Sequence, residues 1–387
     1  MPMSAPSATP SPWLVKRYSI DVPSHALPFH LEQGGRLEAV SLAYETYGTL
    51  NATASNAVLV CHALTGDAHL AGQHHPNDKK QGWWHACVGE GKAFDPTQHF
   101  IICVNVLGGC QGSTGPASIN PATGKPYGMA FPLITIGDMV EAQAWLLKQL
   151  GIQHLHAVVG GSMGGMQALE WACRYPEAVK HLVVLASTTK LSAQALAFNA
   201  VGRHAIMNDP TWLLGTYPPD QQPTGGLSTA RMLAHITYLS QQGLEEKFGR
   251  NLQSPTSSKV TGMETGFSPQ FAVESYLDYQ GASFLKRFDA NTYLYLTKAL
   301  DLFDIAQQWG QGDVQRAVER IQAKSLIIAF ESDWLFTPAE NKRLADALRR
   351  AGKHVSYAEL PSTWGHDAFL LEHDAVNRSV APFLALV

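Results

Sequence analysis

The stretch His156-Ala157-Val158-Val159-Gly160-Gly161-Ser162-Met163-Gly164-Gly165-Met166-Gln167-Ala168-Leu169-Glu170-Trp171-Ala172 decides the fold. Leu155–Val159 is a short apolar run and reads as a buried strand. Met163–Tyr175, rich in Ala, Leu, Gln and Glu and closed by Pro176, reads as a helix. Between them stands Gly160-Gly161-Ser162-Met163-Gly164, a G-x-S-x-G. A sharp strand–turn–helix connection crowds the backbone, so small residues must flank the serine. The turn lifts the Ser162 hydroxyl above the sheet, at a helix N-terminus whose amides favour developing negative charge. A glycine-rich turn of this kind is also suited to holding a phosphate without covalent chemistry. Neither G-x-G-x-x-G nor the Lys-Ser/Thr pair of a P-loop is present, which favours the nucleophile.

Working outward, further apolar runs read as buried parallel strands: Val58–Cys61, Phe100–Val104, Leu182–Ala186 and Ser325–Ala329, with a short strand at His354–Glu359. Helical stripes lie at Ile136–Leu150, stopped by Gly151, and at Pro338–Ala351, stopped by Gly352. Strands alternating with such helices predict an α/β fold with a mainly parallel sheet. From Thr188 to Gly310 the alternation stops and helix formers, Gln and aromatics take over. The expected organisation is a disordered tail over 1–17, a core from 18–187 and 311–387, and a helical lid inserted over 188–310.

Composition narrows the function. The chain has 387 residues, enough to bury a core without disulfide or metal support. Its 28 basic and 32 acidic residues give a net charge of −4, with no basic excess to hold a nucleic-acid backbone. The 5 cysteines form no CxxC pair and an odd set, which reads as free thiols in a reducing compartment, the cytoplasm. Residues 1–13 are rich in Pro, Ser and Ala and lack an apolar signal core. The longest uncharged stretch, Phe100–Gly124, is broken by Gly, Pro and Asn and is no membrane span.

A serine hydroxyl needs a base, and the base an acid. In this strand–elbow–helix class the chain order is Ser, then Asp or Glu, then His. Asp333 follows the Ser325–Ala329 strand, and His366 follows His354–Glu359, both where open α/β sheets place their sites. Glu331 is a second candidate acid, but it sits closer to the strand. Two backbone donors are needed for an oxyanion. Met163, after the nucleophile, supplies one, and Leu64, in the loop after Val58–Cys61, the other.

Taken together, GGSMGGMQALEWA, CHALTGDAH, NVLGGCQGSTGP, ARMLAHITYLS, SDWLFTP and GHDAFLLE resemble the homoserine O-acyltransferases of the MetX type, from about Tyr18 to the end of the chain. The resemblance implies an α/β-hydrolase fold with a helical lid, and a homodimer acting in methionine biosynthesis. It implies acyl transfer from acyl-CoA to L-homoserine with the triad Ser162, Asp333 and His366. It also implies that Arg231 and Asp367 contact the amino-acid substrate, which suits a zwitterion needing a cation and an anion. No bound cofactor is implied, acetyl-CoA being a co-substrate. Succinyl-using members resemble one another in an Arg at the position of Leu335. An apolar Leu335 offers a second carboxylate no partner, so acetyl is expected, with succinyl as the alternative and an esterase or thioesterase of the same fold as a more distant one.

Asp67, His69, His74, His75 and Asp78 cluster along one loop, but their spacing fits no metal motif, and the loop reads as polar surface. Trp83-Trp84 reads as packing, and Lys79-Lys80 as solvated charge with some reach for CoA phosphates.

Overall fold

The computed structural model describes residues 13–218, 220–253 and 270–386. The five apolar runs and the short strand after them lie side by side: β3 (Ala57–Cys61), β4 (Phe100–Val104), β5 (Leu155–Gly161), β6 (Val179–Leu185), β7 (Lys324–Phe330) and β8 (Val355–Leu360). All neighbouring pairs among them are parallel. Two strands not read from the sequence, β1 (Arg17–Asp21) and β2 (Ser41–Tyr47), extend the sheet antiparallel from β4, giving the order β1-β2-β4-β3-β5-β6-β7-β8.

Successive side chains on a strand point to opposite faces, so each strand feeds two cores. Leu59 and Val158 join one core with Met139 and Leu146 of α1 (Ile136–Gln149) and Leu169 of α2 (Met163–Arg174). Val58, Val60 and Val159 join the other with Trp84, Phe94 and the C-terminal Val376, Val380 and Phe383. Local chemistry sets the helix starts. Thr135 and Asp138 form a capping box before α1, and Thr337 and Glu340 form another at Pro338.

Between β6 and β7 the described chain is helical: α3 (Ala193–Met207), α4 (Thr224–Tyr238), α5 (Gln241–Lys247), α6 (Ala272–Phe284), α7 (Ala290–Leu302), α8 (Ile305–Gly310) and α9 (Val314–Glu319). This insertion is pinned to the core near the C-terminal strand edge. Trp334 donates its indole N–H to the Leu239 carbonyl at 2.9 Å, and Ser240 donates its hydroxyl to the Thr363 carbonyl.

Two sequence expectations are corrected. Residues 1–12 lie outside the described residues, but 13–17, assigned to the tail, are placed. Trp13 packs on Tyr47, Val15 and Gln73 exchange a backbone bond of 2.9 Å, and Arg17 opens β1. The loop read as polar surface also turns inward. His69 Nδ1 and His74 Nε2 lie 3.0 and 2.7 Å from the two carboxylate oxygens of Glu45, which is 0% exposed, and Tyr47 donates to it at 2.8 Å. These donors lie within 4.8 Å of one another, the reach of a metal ligand set, and each is engaged in the hydrogen-bonded network. The two imidazole rings lie 4.0 Å apart, tilted by 35°, and although burial raises the Glu45 pKa, the bonds from His69, His74 and Tyr47 hold it below the usual carboxylate range. Glu45 was missed because a lone acid in an alternating run looks solvent-facing.

Glu45→Ala strands Tyr47, His69 and His74 without their acceptor. We expect a loss of about 3 kcal/mol, read as a lowered Tm and a reduced denaturation midpoint, whereas a surface change such as Glu38→Ala leaves both near the parent.

Candidate active site

Ser162 follows β5 and caps α2 with φ 57° and ψ −124°, a region that L-residues avoid. Both flanking glycines are required. A Cβ on Gly160 meets the Gly164 backbone, and one on Gly164 meets the Cys61 carbonyl. Ser187 fixes the turn by donating its hydroxyl to the Ser162 carbonyl at 2.8 Å.

The structure brings Ser162, His366 and Asp333 together. His366 Nε2 lies 2.8 Å from Ser162 Oγ, and His366 Nδ1 lies 2.8 Å from Asp333 Oδ2. Asp333 and His366 are each only 2% exposed. The other Asp333 oxygen accepts from the amides of Leu335 and Phe336 at 3.0 and 2.9 Å, which fixes the carboxylate. Glu331 is exposed at the end of β7 and takes no part. Burial disfavours imidazolium, but the Asp333 charge and hydrogen bond, with Asp367 behind them, outweigh it, so the His366 pKa lies above its ordinary 6.5. The rings of Tyr238, Phe336 and Phe369 pack around His366 at 5.9, 5.0 and 5.6 Å.

Leu64 lies beside Ser162 on the wall of both cavities that meet at the nucleophile. Its amide has no acceptor among the described residues. Met163 is the first residue of α2, so its N–H has no intrahelical acceptor. The loop carrying Leu64 is held from below by a buried relay absent from the sequence reading. Trp171 donates to Gln143 at 2.8 Å, Gln143 to Gln167 at 2.7 Å, and Gln167 to the His62 carbonyl at 3.1 Å. His62 Nε2 in turn accepts from the Val106 amide at 3.1 Å.

On one side of Ser162 a polar cleft holds Arg231, Asp367, Arg287 and Lys80. Arg231, on α4, is 9% exposed, lies 4.8 Å over the Phe284 ring, and leaves its Nε without a partner. Asp367 has its pKa raised to about 6 by burial, against the pull of His366 and Arg231. Arg287 was missed: one Arg in a helix-rich stretch carries no local signal. On the other side lies a pocket of Leu64, Leu191, Phe198, Leu300, Leu335 and Phe336, with the Asn199 amide, the hydroxyls of Thr237, Tyr238 and Tyr293 beside that of Ser162, and no Lys, Arg or His in its wall.

The sheet order, the elbow and the Ser–His–Asp relay define an α/β-hydrolase-fold protein with a serine nucleophile. The model for the alpha/beta hydrolase fold family matches residues 56–373. The chain is 54% identical to homoserine O-acetyltransferase of Caulobacter vibrioides over 360 residues, 92% of each chain. It is 51% identical to homoserine O-succinyltransferase of Magnetococcus marinus over 367 residues, 92% of this chain and 91% of that one. The crystal structure of homoserine O-acetyltransferase from Bacillus anthracis superposes with a TM-score of 0.88 at 32% identity, covering 97% of this chain and 98% of that one. Within the α/β-hydrolase fold, this chain belongs to the MetX-type homoserine O-acyltransferase family.

Two outcomes are expected. A fluorophosphonate labels the protein at Ser162, and Ser162→Ala removes the label while leaving far-UV circular dichroism unchanged. Because the base must be neutral imidazole, labelling is full at high pH and falls as pH drops through a pKa above 6.5. An acid limb centred below pH 6 overturns the His366–Asp333 coupling.

Proposed function

We propose that this protein transfers an acetyl group from acetyl-CoA to the hydroxyl of L-homoserine, through an acyl-Ser162 intermediate. The observation that carries the reading is the division of the site at Ser162: an apolar pocket on one side, and a cleft with Arg231 and Asp367 on the other. An esterase gains nothing from a cation and an anion placed for an amino-acid zwitterion.

In the mechanism, His366 Nε2 takes the Ser162 proton as Oγ attacks the thioester carbon. The tetrahedral oxyanion is held by the Leu64 and Met163 amides. The C–S bond breaks, and the thiol leaves with the proton from His366. Homoserine then enters the vacated cleft, its carboxylate on Arg231 and its ammonium on Asp367. His366 takes its hydroxyl proton, the oxygen attacks the acyl carbon, and the proton returns to Ser162 as the ester leaves. This two-step route gives ping-pong kinetics. Asp333 holds the imidazole tautomer and stabilises the imidazolium.

The acyl assignment rests on Leu335 and its neighbours. A succinyl carboxylate placed in this pocket finds no cation in the wall. Arg203, one turn along α3 from Asn199, is already paired with Asp301 at 2.6 Å. Leaving that carboxylate unpaired is costly. The reading further places the protein in the cytoplasm as a homodimer supplying methionine biosynthesis, with no nucleic-acid or membrane partner. Among the described residues no helix is long and apolar enough to cross a membrane.

The test is thiol release with L-homoserine and either acetyl-CoA or succinyl-CoA. We expect homoserine-dependent release with acetyl-CoA, at least ~10-fold faster than with succinyl-CoA, and a shift toward succinyl-CoA in Leu335→Arg. Equal release without homoserine identifies a thioesterase. Preference for succinyl-CoA keeps the mechanism and overturns the acyl assignment.

A further inference from the structure

The polar cleft presents two guanidinium groups to the substrate side of Ser162, and the reading above uses only one. Arg287 stands just before α7 and lines the same cleft as Ser162, His366, Asp367 and Arg231. Arg287 and Arg231 pack on the same ring, Phe284, at 5.3 and 4.8 Å. Both reach the oxyanion loop at one residue. Arg287 Nη1 donates to the Thr65 carbonyl at 2.7 Å, and Arg231 Nη1 to the Thr65 hydroxyl at 3.4 Å. Among the described residues neither has a carboxylate within ion-pair distance.

Two like charges on one ring repel each other. The surrounding protein and then Arg231 lower the Arg287 pKa, while Asp67 opposes this more weakly. The same cations, after burial, push neighbouring His235 down to about 3. An anion arriving between them relieves this repulsion, and a planar carboxylate matches the fork of a guanidinium. Contact with Thr65, next to Leu64, places this positive charge close to the reacting carbon. The phosphates of CoA are far along the pantetheine arm from its thioester, and Lys80, exposed as Arg287 is, is a separate cation on the cleft wall that makes no hydrogen bond to Thr65.

We propose that Arg287 is a second substrate-binding cation, so that Arg231 and Arg287 together grip the α-carboxylate of the acceptor while Asp367 takes its ammonium. The inference rests on the acceptor being an amino acid, as proposed above. It makes selection for a free carboxylate a property of two elements, α4 and the segment before α7, brought together at Phe284.

The experiment measures kcat/KM for acetyl transfer to L-homoserine and to L-homoserinamide, which carries a neutral carboxamide in place of the carboxylate, in wild type, Arg287→Gln and Arg287→Lys. The KM for acetyl-CoA is measured in each. Arg287→Gln is expected to lose roughly 10- to 100-fold toward homoserine, with a loss toward homoserinamide about tenfold smaller. Arg287→Lys falls between wild type and Arg287→Gln. The two acceptors are compared within each variant, so a partly folded preparation scales both alike. Equal losses on the two acceptors overturn the inference and leave Arg287 as a support for Thr65. A raised KM for acetyl-CoA with homoserine unaffected overturns it in favour of a phosphate contact. Absence of transfer to homoserine by wild type overturns the proposed function and this inference together.

Discussion

The constraint on which the site depends is the backbone of Ser162, held at φ 57°. A residue in this region costs on the order of 1–3 kcal/mol and persists only where its surroundings over-determine it. Here they do. The Ser162 N–H donates to the Leu185 carbonyl of β6 at 3.0 Å, and its carbonyl receives the Ser187 hydroxyl. Gly160 and Gly164 allow the helix to approach the strand, and Gly164 lies against the backbone of Cys61. That last approach matters most for chemistry. Cys61 ends β3, and the residues after it carry Leu64. Packing the elbow against Cys61 therefore sets Leu64 on the cavity walls it shares with Ser162, so one strained turn positions both the nucleophile and the amide proposed for the oxyanion.

The other groups come from the neighbouring strand ends, and each is fixed by contacts that act only in the folded protein. Asp333 is locked by two backbone amides after β7, and His366 by three aromatic rings after β8. Gly365 donates its amide to the Ser332 hydroxyl at 2.9 Å, tying the histidine loop to the acid loop. Its φ of +66° suits glycine, and a Cβ there meets the backbone of Ser240 in the helical insertion. The insertion therefore rests directly on the loop that carries the base.

What was legible in the sequence follows from how local each signal is. Apolar runs bounded by turn residues marked β3 to β7, because strands covered on both faces are dominated by apolar residues, and β8 was read as the short strand before His366. β1, at the sheet edge, and β2, beside it, escaped because charged and hydroxyl-bearing residues interrupt their apolar ones. Ser162, Asp333 and His366 were readable from chain order and strand ends, since the fold itself dictates that order. The His62–Gln167–Gln143–Trp171 relay was not, because buried glutamines look like surface residues until their partners are known. Arg287 and Glu45 fall in the same class. Each is a single charged residue whose neighbours, Phe284 and Arg231 for one and His69 and His74 for the other, are assembled by tertiary packing.

The two sides of Ser162 also explain why a single nucleophile can serve two unlike substrates in turn. The acyl group must stay put between the half-reactions, and an apolar pocket of Leu, Phe and Ala holds a methyl without asking for a polar partner. The thiol must leave and the acceptor must arrive, and both use the cleft where the charges are. Water competes with the acceptor for the acyl-enzyme. Transfer is favoured over hydrolysis when the acceptor's hydroxyl is held in place by the pairing of its own charges, an anchorage that water lacks. In the proposed reaction the cations and Asp367 perform that discrimination before any bond is made. On this proposal the α/β-hydrolase core, roofed by the insertion, shifts from hydrolysis to transfer through binding, with the relay of Ser162, His366 and Asp333 left unchanged.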